Sequence, residues 1–369
     1  MFRNVATLVS QMYQQCMAMI RGDHDVTRHY VYVTNQGNNN ISQYVVSAHG
    51  SLIPMQLATV AAGTTPVFIA VTPSGKYAYV ANQGGNSISQ YRIKGDGNLE
   101  AIGKPVEAGT SPVEIAIDPS GSYVYVANSS SNDLSQYVIS ENGMLCPMSP
   151  ATIETGMIPV AVRVDPSGKH VYVVNNSGND ISQYAISDNG SLMAMTPAKI
   201  AAGVAPRSIA IPPSGKHAYV VNRGSGDVMQ YAIDANGCLA QMATPVAAGK
   251  HPFSICIAPS GKSAYVVNQN GNSISQFRVD VNGSLLAMTP ASIESLLTPV
   301  SMTIASSGKY AYVTNISSND VSQYALDQQG ALRGIPVNQW GDATVAAEVS
   351  PRCVIAVSVN NSAANPCAA

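Results

Sequence analysis

The chain has 369 residues, of which 46% are hydrophobic and only 11% charged, with a net charge of −2 at pH 7. That balance excludes a disordered polyelectrolyte, which combines high net charge with few apolar residues. It also excludes a globally basic protein drawn to nucleic acid by its overall field, and no apolar run reaches the ~20 residues that span a bilayer as a helix.

Residues 1–28 read as an N-terminal extension, weakly helical or flexible. Its apolar positions are broken by Ser10, Gln11, Gln14 and Gln15, and no apolar stretch leads to a small-residue cleavage site. The expected location is cytoplasmic, or exported without a recognisable cleavable signal.

From residue 29 the chain repeats itself, and a period of 40–50 residues is the mark of a repeat architecture. Seven segments share one pattern: Tyr30–Asn35, Tyr77–Asn82, Tyr123–Asn128, His170–Asn175, His217–Asn222, Ser263–Asn268 and Tyr310–Asn315. Their closing asparagines recur every 46 or 47 residues. Nine residues later comes Ser-Gln-Tyr or a close relative, ending at Tyr44, Tyr91, Tyr137, Tyr184, Tyr231, Phe277 and Tyr324. A Gly-x-Leu follows each time, as at Gly143 and Leu145.

Each unit reads as four strands. A short β-branched run such as Val113–Asp118 comes first, then a Pro-Ser-Gly-Lys turn such as Pro73–Lys76, then the tyrosine-rich strand alternating at period two. An asparagine-rich loop leads to the Ser-Gln-Tyr strand. Asn-Gly pairs such as Asn142–Gly143 suit the type I′ hairpin into the fourth strand. Four short antiparallel strands per unit describe a propeller blade. A solenoid also stacks repeats, but the ends decide against it. The first unit lacks its inner strand, and the last segment, Pro351–Val359, is an inner strand with nothing after it. The sequence therefore predicts an all-β, seven-bladed β-propeller over residues 29–359, closed by one C-terminal strand joining three N-terminal ones. Residues 360–369 form a tail. A closed ring leaves no free inter-blade edge, so a monomer is expected.

The Tyr-Val-Thr-Asn at 32–35 and 312–315 resembles that of the YVTN-repeat propellers, over roughly residues 29–359. In fold these are related to bacterial 6-phosphogluconolactonase-like and muconate-lactonizing propellers. The resemblance implies a site with His-Pro-His on one inner strand, and Arg-His followed by Asn-Glu on another. Here Lys250-His251-Pro252-Phe253-Ser254 keeps the first histidine and has phenylalanine at the second. Pro206-Arg207-Ser208 keeps the arginine and has serine for histidine, and Arg223 follows Asn222 where the pattern has glutamate. The two segments come in reverse order along the chain.

A propeller's channel is lined by one parity of its inner strands, since alternate residues share a face. The variable parity includes Phe68, Glu114, Arg163, Ser208, Ser254 and Ser301, whereas Val113, Ile115, Ile117, Val160, Val162 and Val164 form the apolar parity. Glu114 and Arg163 are charges inside apolar strands of adjacent blades, either an ion pair or an acid/base with its partner. Arg207, Arg223, Lys250, His251 and Arg352 fall at upper-face strand ends and form the expected anion-binding patch. The asparagine loops offer at most one aspartate each, so they read as turn chemistry rather than calcium sites. No metal and no cofactor motif is found. The Ser-Gln-Tyr repeats, His170 and His217 read as blade packing, and the six cysteines (16, 146, 238, 256, 353, 367) as packed thiols.

Two functional readings follow. In the first, a binding or scaffold propeller presents polar upper-face loops to a protein, peptide or glycan, because the blades are nearly uniform. In the second, a lactonase-like hydrolase acts on a small anionic sugar lactone at the central channel, with Glu114, Arg163, Arg207 and His251 as candidate catalytic residues. His251 or Glu114 would activate water, and the arginines would hold the anionic group.

Overall fold

A computed structural model of the chain describes residues 27–242, 244–335 and 344–360. The N-terminal extension up to residue 26, the C-terminal tail from residue 361, Cys16 and Cys367 lie outside these, and Asn360 ends the last strand. Among the described residues no helix is long and apolar enough to cross a membrane.

Seven antiparallel sheets form the ring. Blade 1 is the closing blade: Pro351–Asn360 pairs with Thr27–Asn35, followed outwards by Asn40–Val46 and Leu52–Ala61. Blades 2 to 7 begin at the inner strands Pro66–Val71, Pro112–Ile117, Pro159–Val164, Pro206–Ala210, Pro252–Ile257 and Pro299–Ile304. The outermost strand is continuous in blades 1, 3, 4 and 6. It is split into two short pieces in blades 2, 5 and 7, as at Leu99–Ala101 and Val106–Glu107.

The repeated residues weld each blade to the next. In all seven blades the inner tyrosine of the second strand donates its hydroxyl to the carbonyl of the next blade's Gly-x-Leu glycine, as Tyr32 does to Gly97 at 2.6 Å. Burial pushes these phenols up, Tyr219 to about 12, so they remain donors. The glutamine of Ser-Gln-Tyr accepts from the leucine N–H of that same neighbour, at 2.6–2.9 Å in every seam. Each such bond contributes about 1 kcal/mol net, and each recurs around the ring. The Gly-x-Leu glycine is required by close approach. A Cβ on Gly97 would lie 2.2 Å from the Tyr30 ring, and one on Gly237 would lie 2.3 Å from His170. His170 and His217 thus occupy the place of the packing tyrosine.

The closing asparagines are fully buried. In six blades the side-chain amide donates to the serine seven residues later, at 2.8–3.0 Å. Blade 5 has Met229 at that serine's place. The thiols are not uniformly packed as expected. Cys353 is buried, Cys238 and Cys256 are half-buried, and Cys146 is exposed, because it faces out from a fourth strand that has solvent on its outer side.

Candidate functional site: the arginine-rich channel mouth

Every inner strand starts with proline, and every one is irregular there. Pro66 faces Asn82 while Phe68 faces the next residue, Ala81, so Val67 is an extra residue. The same one-residue shift recurs in the other six blades. Such a bulge re-aims side chains. It brings the residue after each proline into the channel alongside the next one. Those seven positions are Val67, Val113, Val160, Arg207, Phe253, Val300 and Arg352, and all line one cavity of about 450 Å³. Val113 and Val160, expected on the apolar parity away from the channel, therefore line it as well.

The turn before each proline is also built seven times. Its residue has positive φ at Thr65, Ser111, Ile158, Ala205, His251, Thr298 and Ser350. In six blades a loop asparagine of the preceding blade accepts that residue's N–H, at 2.7–2.9 Å. These bonds hold even Ile158, a β-branched residue that avoids this region. At His251 the asparagine's place is taken by Gly226.

Phe68, Glu114, Arg163, Ser208, Ser254 and Ser301 line the cavity, and so do Arg207, Arg223 and Arg352. Lys250 and His251 are exposed and are not among its lining residues. Glu114 is 6% exposed. One of its oxygens accepts from Arg163 Nη1 and the other from the Val162 N–H at 3.2 Å. Arg163 Nη1 also donates to the Val162 carbonyl at 2.8 Å. The two charges read from adjacent blades therefore meet as an ion pair.

The remaining cations have no acid partner among the described residues. Arg207 Nη1 donates to the Val160 carbonyl at 3.1 Å, and its guanidinium lies 4.2 Å from the Phe253 ring centre. Arg352 lies 5.7 Å from the same ring. Arg223 donates to the Gln269 side chain at 3.3 Å. Burial, then repulsion from Arg352, pushes Arg207 down to about 10, and burial also lowers Arg352. Both remain charged at neutral pH. Four guanidiniums thus face one carboxylate, and the excess of positive charge suits an anion of small-molecule size.

Sequence reasoning passed over Phe253 as a lost histidine. Its signal was available at the position after the inner-strand proline, which is valine in four blades and Arg, Phe, Arg in the other three. No group of three or more metal-ligating side chains occurs among the described residues.

A protein from Bacteroides fragilis described as a candidate 6-phosphogluconolactonase superposes with a TM-score of 0.78 at 22% identity, over 91% of this chain and 98% of that one. A periplasmic gluconolactonase from Pseudomonas aeruginosa superposes with a TM-score of 0.77 at 21% identity, over 90% and 100%. A protein from Lactobacillus plantarum gives 0.74 at 18%, over 90% and 100%. At these identities the likeness is one of fold. No curated protein matches the sequence. The family described as lactonase, 7-bladed β-propeller matches residues 5–88, 26–156 and 162–346, so the chain belongs to the seven-bladed lactonase propeller family.

Proposed function

We propose that the chain is a lactonase-like hydrolase acting on a small anionic sugar lactone in the channel mouth. The observation that carries this reading is the cavity itself, where the lone carboxylate of Glu114 stands among four guanidiniums, three of them without an acid partner among the described residues. Membership of the lactonase family and the likeness to gluconolactonase structures support it.

In this scheme Arg207 and Arg352 hold the ligand's anionic group through charge-assisted hydrogen bonds. Water adds to the acyl carbon, and Glu114 takes its proton. The guanidiniums stabilise the oxyanion that forms. The ring C–O bond then breaks, and Glu114 returns the proton to the departing ring oxygen. The product is a hydroxy acid, which ionises and releases one proton to solvent. Arg163 pairs with Glu114 and fixes its direction. His251, exposed at the turn, takes no part.

Proton release from a panel of sugar lactones, phosphorylated and not, tests the scheme. Wild type should turn over anionic lactones above the no-protein blank. Glu114→Gln should lower kcat about 100-fold, the low end for losing a general base, without raising KM. A wild type inactive at micromolar concentration would remove the hydrolase reading. It would leave a binding ring, which is favoured by one specific observation: both oxygens of Glu114 already accept hydrogen bonds.

A further inference from the structure

Two guanidiniums that repel each other in a half-buried cavity need something to hold them. For Arg163 that partner is Glu114. For Arg207 and Arg352, among the described residues, no carboxylate lies within ion-pairing distance, and what they share is the Phe253 ring, at 4.2 and 5.7 Å. The face of an aromatic ring is negative and attracts a cation without neutralising it. A carboxylate in the same place would hold the arginines equally well, but it would compete with any anionic ligand.

Phe253 stands where four blades carry valine, on the bulged position that points into the cavity. The arginines come from blades 5 and 1, the ring from blade 6. Three separate sheets therefore converge on this one contact, while the Val67, Val113 and Val160 side of the mouth has no counterpart.

We propose that Phe253 is a positioning residue, whose ring holds Arg207 and Arg352 together in the mouth while leaving both charges available to the anionic group of the ligand. The inference rests on the reading of the channel as an anion site, and it specifies what builds that site. It also assigns a role to the residue that replaces a histidine of the lactonase pattern.

The test compares Phe253→Leu, which keeps an apolar side chain and loses the ring face, with Phe253→Tyr, which keeps the face. Binding of inorganic phosphate and pyrophosphate is measured by calorimetry on the full chain, and KM and kcat for any lactone that wild type hydrolyses. Phe253→Leu should bind both anions about tenfold more weakly, the free energy of a desolvated cation–π contact. Its KM should rise with kcat little changed, and Phe253→Tyr should recover most of the affinity. Thermal unfolding of both variants separates this from general damage, because a merely packing role would lower the melting temperature and leave affinity intact. Equal affinity in wild type and Phe253→Leu overturns the inference, as does a wild type that binds neither anion. A wild type that binds anions through Phe253 but hydrolyses no lactone leaves the inference standing and removes the proposed reaction.

Discussion

Val160 and Arg207 occupy the same bulged position in neighbouring blades, on backbones that pair in the same register. One side of the mouth, Val67, Val113 and Val160, is apolar. The other carries Arg207, Phe253 and Arg352, with Val300 between the last two. The difference owes nothing to the fold. The seams repeat their hydrogen bonds around the whole ring, so they leave the inner-strand side chains free to vary. A rigid frame with variable inner-strand positions can specialise one sector of the channel with unpaired arginines while another carries the Glu114–Arg163 pair.

The sharpest way to break this contrast is to remove the charges from one side and volume from the other. Arg207→Ala with Arg352→Ala should abolish measurable phosphate binding and lower kcat/KM for an anionic lactone by about 100-fold or more. That follows from about 1.5–3 kcal/mol for each charge-assisted hydrogen bond lost. Val113→Ala on the opposite wall should shift the same quantities less than about threefold, since a single apolar truncation there removes no charged contact. Equal losses from both walls would mean that the cavity acts through shape alone.

A smaller effect is expected from pH. Arg207, pushed down to about 10 by burial and by Arg352, is charged at neutral pH and loses its proton as pH rises through that value. Affinity for sulfate, which stays a dianion throughout this range, should therefore be level between about pH 6 and pH 9 and fall above it, well before an exposed arginine would titrate. The sign for stability is the opposite. Burial disfavours the charged form, so its cost is present at neutral pH and fades as pH rises through about 10. Calorimetric titration of sulfate across this range in Arg352→Gln, where the repulsion is gone, should show the fall displaced upwards.

The fold was legible because its signals are redundant: seven copies of the tyrosine-rich strand, seven of Ser-Gln-Tyr or a close relative, and two complementary partial units at the ends. Glu114 and Arg163 were legible as charges in apolar strands, and the structure joins them. Phe253 was not. Reading an inner strand at period two assumes an unbroken pleat, and the extra residue after each proline breaks it. The contact of Arg207 and Arg352 with one ring joins three separate inner strands, a convergence that no period along the chain reveals.

The smallest predicted effect concerns the seam between blades 5 and 6, beneath the charged side of the mouth. Gly226 stands where six blades have an asparagine that accepts the N–H of a left-handed residue, so the His251 N–H lacks that clamp. Phe277 stands where six blades have a tyrosine whose hydroxyl reaches a carbonyl of the preceding blade, at 2.5–3.2 Å. Both losses fall in one seam. Gly226 has φ of +74, and a Cβ there would lie 4.0 Å from its nearest neighbour, the Gly249 carbonyl oxygen. Asparagine is found at positive φ in the six equivalent loops, so Gly226→Asn should be accommodated without strain. The restored bond is worth about 1 kcal/mol, and loss of glycine's freedom in the unfolded chain adds a few tenths or more. In a ring of this size that corresponds to a rise in melting temperature of roughly 1–2 °C. Phe277→Tyr should add a similar increment through the Ala247 carbonyl. If this seam is held loose so that the charged wall can adjust around its ligand, the double variant should also slow phosphate release in stopped-flow measurements. If the seam is only a less regular copy of the other six, stability should rise with the release rate unchanged.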